Sequence, residues 1–168
     1  LEEMTELING IPVTDQSIDV GRQADFDERM MFYYVNVTEP LASLTVETYS
    51  GTGNINLGLS WGTVPDPFSL FEDIFIPDNE DSSSKTAWSS GQGNEEVATL
   101  YDVEPGMYYV TGYTFQRALD YTIKASFAYA PDNVAPEDAI ELSPGIAYGE
   151  LSGYAGLLQY FKIDVPTG

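Results

Sequence analysis

Apolar side chains recur at every second position in this chain, in runs short enough to be strands. Leu44, Val46 and Thr48 alternate with Thr45, Glu47 and Tyr49; Ile55, Leu57, Leu59 and Trp61 alternate with Asn56, Gly58 and Ser60; Tyr121, Ile123, Ala125 and Phe127 alternate with Thr122, Lys124 and Ser126. Successive residues of a strand point to opposite faces, so each run offers one face to a core. Turn signals separate the runs at short intervals: Ser50-Gly51-Thr52-Gly53-Asn54, Gly91-Gln92-Gly93-Asn94 and Glu104-Pro105-Gly106, where Gly and Asn tolerate the positive φ of tight turns. No long stretch keeps a helical period. The pattern predicts an all-β fold, an antiparallel β-sandwich of jelly-roll or Greek-key kind. Strands are expected around 16–20, 30–38, 43–49, 54–61, 70–76, 96–101, 107–114 and 121–129.

Part of the sequence recurs. Glu6-Leu7-Ile8-Asn9-Gly10-Ile11-Pro12-Val13 returns in weaker form as Glu141-Leu142-Ser143-Pro144-Gly145-Ile146-Ala147-Tyr148, with Leu7 and Gly10 matching Leu142 and Gly145, 135 positions on. Phe32-Tyr33-Tyr34-Val35-Asn36-Val37-Thr38 answers to Tyr160-Phe161-Lys162-Ile163-Asp164-Val165-Pro166, 128 positions on, so the first copy holds seven extra residues between the blocks (135 − 128 = 7). A module followed by the opening of another marks a tandem array. Between the copies, Ala130-Pro131-Asp132-Asn133-Val134-Ala135-Pro136-Glu137-Asp138 carries prolines that disfavour a continuing ladder. The expected organisation is a sandwich module over 1–130, an acidic Pro-containing linker over 131–141 and a partial second repeat over 142–168.

Charge and missing residue types narrow the function. The chain has 168 residues, 43% of them hydrophobic, enough to bury a core. It carries 27 acidic against 6 basic residues, a net charge of −21, which repels phosphate backbones and anionic lipid heads, so no nucleic-acid partner is expected. Such a surface favours multivalent cations and solubility in strong salt. Histidine and cysteine are both absent, removing Ser-His-Asp and Cys-His catalysis, the usual zinc ligand sets and disulfides. A glycosidase-type carboxylate pair is compatible with the composition, but abundant carboxylates make any chosen pair uninformative. The chain reads as a binding or structural module, not an enzyme. No window approaches a membrane span, and no basic and apolar leader opens the sequence; an exported protein would have lost its signal before residue 1.

Five short motifs then fall in order along the first module. They are Leu7-Ile8-Asn9-Gly10 before a short strand; the acidic turn Asp25-Phe26-Asp27-Glu28 leading into Phe32-Tyr33-Tyr34-Val35-Asn36-Val37; Ser50-Gly51-Thr52-Gly53 leading into Asn54-Ile55-Asn56-Leu57; Gly93-Asn94-Glu95; and Pro105-Gly106-Met107-Tyr108-Tyr109-Val110. In this order they resemble the bacterial pre-peptidase C-terminal domain family, β-sandwiches appended to secreted peptidases and other exported hydrolases, similar to the collagen-binding modules of bacterial collagenases. The resemblance covers roughly 6–129 and resumes from 132. It implies a non-catalytic accessory module of a secreted, extracellular protein, covalently attached to a hydrolase or other secreted domain. After its Ser-Gly-x-Gly turn the family usually has Gly-Asp-x-Asp-Leu, where this chain has Gly53-Asn54-Ile55-Asn56-Leu57. Two amides replace two carboxylates and weaken any cation site there, so Asn54 and Asn56 read first as turn and strand-edge residues.

The resemblance also implies calcium at the acidic turn, held by Asp25, Asp27 and Glu28 together with an acidic preceding linker. That linker is Glu2, Glu3 and Glu6 for the first module and Asp132, Asn133, Glu137 and Asp138 for the second. Oxygen ligands at alternate positions of a tight loop converge readily on a hard ion; the other reading is solvated loop carboxylates with no ion. The run Asp78-Asn79-Glu80-Asp81 reads as plain solvation. Aromatics form 13% of the chain, and Tyr49, Tyr109, Tyr113, Trp61 and Trp88 are the candidate platforms for a polymeric protein or polysaccharide. Packing is the competing role for each, and Trp61 sits on the apolar parity of its strand. Two alternatives stand beside the accessory module. The strand at 160–165 would complete a neighbouring copy by strand addition, making a self-assembling extracellular subunit, or the exposed aromatics would form a carbohydrate-binding module.

Overall fold

The computed structural model describes residues 4–20, 25, 27–67, 85–129, 131, 135–149 and 158–165. The strands in chain order are β1 (Thr5–Glu6), β2 (Val13–Asp19), β3 (Met30–Val37), β4 (Leu41–Tyr49), β5 (Thr52–Gly53), β6 (Asn56–Trp61), β7 (Thr86–Ser89), β8 (Glu96–Val103), β9 (Gly106–Tyr113), β10 (Arg117–Ala128), β11 (Ile140–Leu142) and β12 (Phe161–Ile163). The chain divides into two compact units, Leu1–Phe127 and Ala128–Gly168. In the first unit one sheet runs β1-β3-β9-β6-β7 and the other β2-β10-β4-β8, with β5 paired to β10. The pairs β2–β10, β5–β10, β3–β9, β4–β8, β6–β7 and β6–β9 are antiparallel, and β1 lies parallel to β3. Connections such as β3 to β4, β8 to β9 and β9 to β10 cross between the sheets, the sandwich topology that the alternating pattern predicts.

The core forms where the two period-two faces meet. One sheet supplies Tyr33, Val35, Val37, Leu57, Leu59, Tyr108 and Val110, and the other supplies Leu44, Val46, Ala98, Leu100, Tyr121, Ile123 and Ala125, all buried. Within this apolar layer the phenols of Tyr33 on β3 and Tyr121 on β10 meet at 2.9 Å. Tyr33 Oη also lies 3.2 Å from Gln16 Oε1, and Gln16 Nε2 donates to the Thr14 carbonyl at 2.8 Å. If Tyr121 donates to Tyr33 and Tyr33 to Gln16, both buried hydroxyls are satisfied along a path that ends at the sheet edge. Burial raises both phenol pKa values, that of Tyr121 to about 12.

The repeated Leu-x-x-Gly motif ties the two sheets together at their open side. Leu7 is 1% exposed and its N–H donates to the Tyr34 carbonyl of β3 at 2.8 Å. Three residues later Gly10 N–H donates to the Ala125 carbonyl of β10 at 2.8 Å, and Asn9 Oδ1 accepts from the Phe127 N–H at 2.9 Å. Four residues therefore bridge from one sheet to the other. The Ser-Gly-x-Gly turn has an equally local cause. Gly53, at φ +109°, brings β5 so close to β10 that a Cβ would stand 2.2 Å from the Arg117 carbonyl oxygen, a position only glycine fills.

Some expected details differ. The strand expected at 70–76 lies outside the described residues, and β1, β5 and β7 are strands that the pattern did not suggest. β6 was expected to bury one face, yet Asn56, Gly58 and Ser60 on its other face are buried too. The cause is cover from above: Trp88 and Pro65 pack over Gly58, and Thr111 Oγ1 donates to the Pro65 carbonyl at 2.8 Å. Trp61 keeps its core-side parity but ends the strand 38% exposed, with its indole nitrogen beside Gly106.

In the second unit a short 3-10 turn at Pro136–Asp138 precedes β11, which pairs in parallel with β12. Gly145 follows β11 at φ +79°, as Gly10 follows β1 at φ +74°. Ile146 N–H donates to the Ser143 carbonyl at 3.2 Å, where Ile11 donates to Ile8 at 3.0 Å.

Two outcomes are expected. Because the folded-state phenol pKa values are raised, the native chain holds more protons than the unfolded one above the ordinary tyrosine pKa of about 10. The stability from these two groups is complete below that pH and is lost as pH rises toward and past 12. Urea midpoints measured from pH 9 to 12 should fall steeply in the native chain and less steeply in Tyr33→Phe/Tyr121→Phe. Gly53→Ala should lower stability by more than about 2 kcal/mol, read from the same denaturation curves.

Candidate functional site

The outward face of the β1-β3-β9-β6-β7 sheet follows from one feature of β3 and β9: aromatics occupy consecutive positions, so burying one parity turns the other outward. Tyr33 and Tyr108 go into the core, while Phe32, Tyr34 and Tyr109 stay half-buried on the outer side. Register aligns them in rows, Tyr34 opposite Tyr109 opposite Ser60, and Phe32 opposite Thr111 opposite Gly58. Trp88 lies opposite Gly58 on the same face. A Cβ at Gly58 would come within 2.5 Å of the Trp88 ring, so the missing side chain lets the indole lie against the sheet.

Next to this row is an edge-to-face cluster. The Trp88 and Tyr113 ring centroids are 6.2 Å apart at 79°, and those of Tyr113 and Phe115 are 5.7 Å apart at 89°. Tyr113 is 7% exposed and Phe115 is 52% exposed, so the cluster runs from a buried ring to an open one. Burial, and secondarily the Glu96 carboxylate, raises the Tyr113 pKa. Arg29 holds the Phe115 loop, donating from Nη1 to the Phe115 carbonyl at 2.8 Å and accepting at its own carbonyl from Thr114 N–H at 3.0 Å.

Below this cluster the turn between β7 and β8 is built on a buried carboxylate. Glu96 is 3% exposed; it accepts from Gly91 N–H at 2.6 Å and from the Ser89 hydroxyl. Asn54 Oδ1 accepts from Gly93 N–H at 2.8 Å, and Asn56 Nδ2 donates to the Tyr113 carbonyl at 3.3 Å. Both amides, expected as turn and strand-edge residues, thus hold backbone.

The expected aromatics therefore do not act as one group. Trp88, Tyr109 and Tyr113 share the outer face of one sheet, Tyr49 lies on the other sheet, and Trp61 caps the end of β6. Sequence reasoning missed Phe115, Phe32 and Tyr34, although the run Phe32-Tyr33-Tyr34 signals that aromatics must face both ways. Of the calcium candidates, Asp25 and Glu28 are exposed on one turn, with Glu28 Oε2 accepting from the Asp25 N–H at 3.2 Å. The Asp27 side chain, Asp132, Asn133, Glu2 and Glu3 lie outside the described residues. Glu6 accepts from the Tyr34 hydroxyl at 3.3 Å, and Glu137 and Asp138 are exposed in the 3-10 turn of the second unit. Among the described residues no three acidic side chains gather as a metal site, and no helix is long and apolar enough to cross a membrane.

No family model matches the chain, and no curated protein does. Among solved structures the chain is similar to the pre-peptidase C-terminal domain of collagenase from Bacillus anthracis, at 14% identity and a TM-score of 0.47, over 75% of this chain and 97% of that one. That is the domain type that the sequence motifs resemble.

Glu96→Ala removes the acceptor of the Gly91 N–H and the Ser89 hydroxyl in a half-exposed turn, and should destabilise the chain by about 1–2 kcal/mol in chemical denaturation. Gly58→Ala should lift the Trp88 ring from the sheet. In a Trp61→Phe background, where Trp88 is the emitting indole, its fluorescence should shift to longer wavelength and the near-UV circular dichroism should weaken.

Proposed function

We propose that this chain is a non-catalytic β-sandwich accessory module of a secreted protein, and that it engages an extended polymer on the outer face of the β1-β3-β9-β6-β7 sheet. The observation that carries the reading is the row of half-buried aromatics, Phe32, Tyr34 and Tyr109, continued by Trp88, Tyr113 and the open ring of Phe115. Flat aromatic surface over a rigid, paired sheet gives large contact area at low conformational cost. An extended polypeptide or a polysaccharide offers the matching repeat of apolar faces. The five ordered motifs of the sequence support the accessory role, and the absence of His and Cys from the sequence supports a binding role over catalysis.

Calcium is proposed as a stabilising ion at the turn of Asp25, Asp27 and Glu28, with Asp132, Asn133, Glu137 and Asp138 the corresponding acidic linker of the second copy. All are oxygen donors, the chemistry that hard cations require. Two of them, Asp25 and Glu28, share one exposed turn. Bound calcium would contribute charge neutralisation and fix the turn that leads into β3.

Cosedimentation with insoluble collagen, chitin and cellulose tests the binding role. Retention on one of them that falls about tenfold or more in Tyr34→Ala/Tyr109→Ala, with melting unchanged, is the expected result. Equal retention in the variant, or retention on none, removes the proposed face and leaves domain spacing. Calcium at 100 times its Kd should add about 2.7 kcal/mol of stability, so melting in calcium should exceed melting in chelator, and Asp25→Asn/Glu28→Gln should abolish the difference. Identical curves in calcium and chelator would remove the ion.

A further inference from the structure

The second unit repeats a pairing of the first in the same register. Shifted by 135 and 128 positions, the parallel pairs Thr5 with Tyr33 and Glu6 with Tyr34 become Ile140 with Phe161 and Glu141 with Lys162, the two pairs that β11 and β12 form. The offsets come from sequence blocks alone, and the ladder obeys them independently. Burial does not follow. Tyr33, Val35 and Val37 are at most 2% exposed, while Phe161, Ile163 and Val165, their counterparts, are 37%, 55% and 73% exposed. Leu7 is buried, whereas Leu142 is only half so. Three core positions thus form an apolar patch on a small sheet, the kind of surface that marks a missing partner.

The first unit shows what covers these positions. β9 pairs along the whole of β3, from Met30 opposite Tyr113 to Val37 opposite Gly106, and the opposing sheet closes over Tyr33 and Val35 with Tyr121 and Leu44. A strand of the β9 type belongs at the edge of β12, and strands of the β4 and β10 types over its apolar face. β9 of the first unit is already paired on both sides, by β3 and by β6, so it is not the strand that fills this place. We infer that residues 140–165 are the opening strands of a second sandwich and that their apolar face is covered by further strands of the same polypeptide, equivalent to β4–β10.

Residue 165 corresponds to residue 37, which fixes the test. Residues 1–165 followed by a second copy of residues 38–129 should build a complete second sandwich. Amide exchange at 161–165 should slow by at least about 100-fold relative to the 1–168 chain, and the molecule should stay monomeric by light scattering. Ile163→Asp in the extended chain should return that exchange to its rate in 1–168. The same 38–129 copy placed after residue 139, without the opening strands, should remain unprotected. Unchanged exchange at 161–165 in the extended chain would overturn the inference, as would protection of the copy in the absence of 140–165. A 1–168 dimer with 161–165 already protected would also overturn it, assigning the patch to a second copy.

Discussion

Two phenols facing each other across an otherwise apolar core set the conditions for the first unit. Burying a hydroxyl with no partner costs on the order of several kcal/mol, so Tyr121 relies on β3 and β10 holding it at hydrogen-bonding distance from Tyr33, which in turn reaches Gln16. That requirement fixes the two sheets relative to one another more sharply than apolar contact can, since apolar contact has no direction. The Leu7 to Gly10 bridge serves the same end from outside, joining β3 to β10 by backbone hydrogen bonds close to the strands that carry the two rings. Slippage of either strand by one residue would break the phenol pair and the bridge together.

The outer aromatic face depends on this core. Consecutive aromatics in β3 and β9 leave no parity free of rings, so the choice made by Tyr33 determines that Phe32 and Tyr34 look outward. The sheet then gains cover where it can, with Trp88 lying over Gly58 and Pro65 beside it, and keeps partly open rings where it cannot. The face proposed for binding is thus the complement of the core.

The alternation at 44–49, 55–61 and 121–127 made the sandwich legible, because period two over five or more residues has one reading. β1 and β5, two residues each, were not legible: a pattern needs more than one repeat, and these strands exist because tertiary contacts place backbone beside a neighbour. The double burial of β6 escaped notice for a related reason, since its cover comes from Trp88 and Pro65, distant in sequence. Bulges were equally silent. β10 shifts register against β2 twice, with Asp120 and Asp15 at positive φ near the two shifts, and nothing in an aspartate among strand residues announces this. Of the candidate sites, the shared face of Trp88, Tyr109 and Tyr113 required the register to be known, because spacing along the chain does not say which strands become neighbours.

Those two bulges have a consequence for a chain that carries part of itself twice. β2 forms one edge of its sheet, and similar strands held close on one polypeptide risk pairing with the wrong copy as they fold. Asp15 puts a charge on the edge strand at one irregularity, and at the other the Asp120 N–H of β10 is taken up by Ser17 Oγ of β2 at 2.9 Å. Irregularity of this kind works against edge-to-edge pairing of like strands.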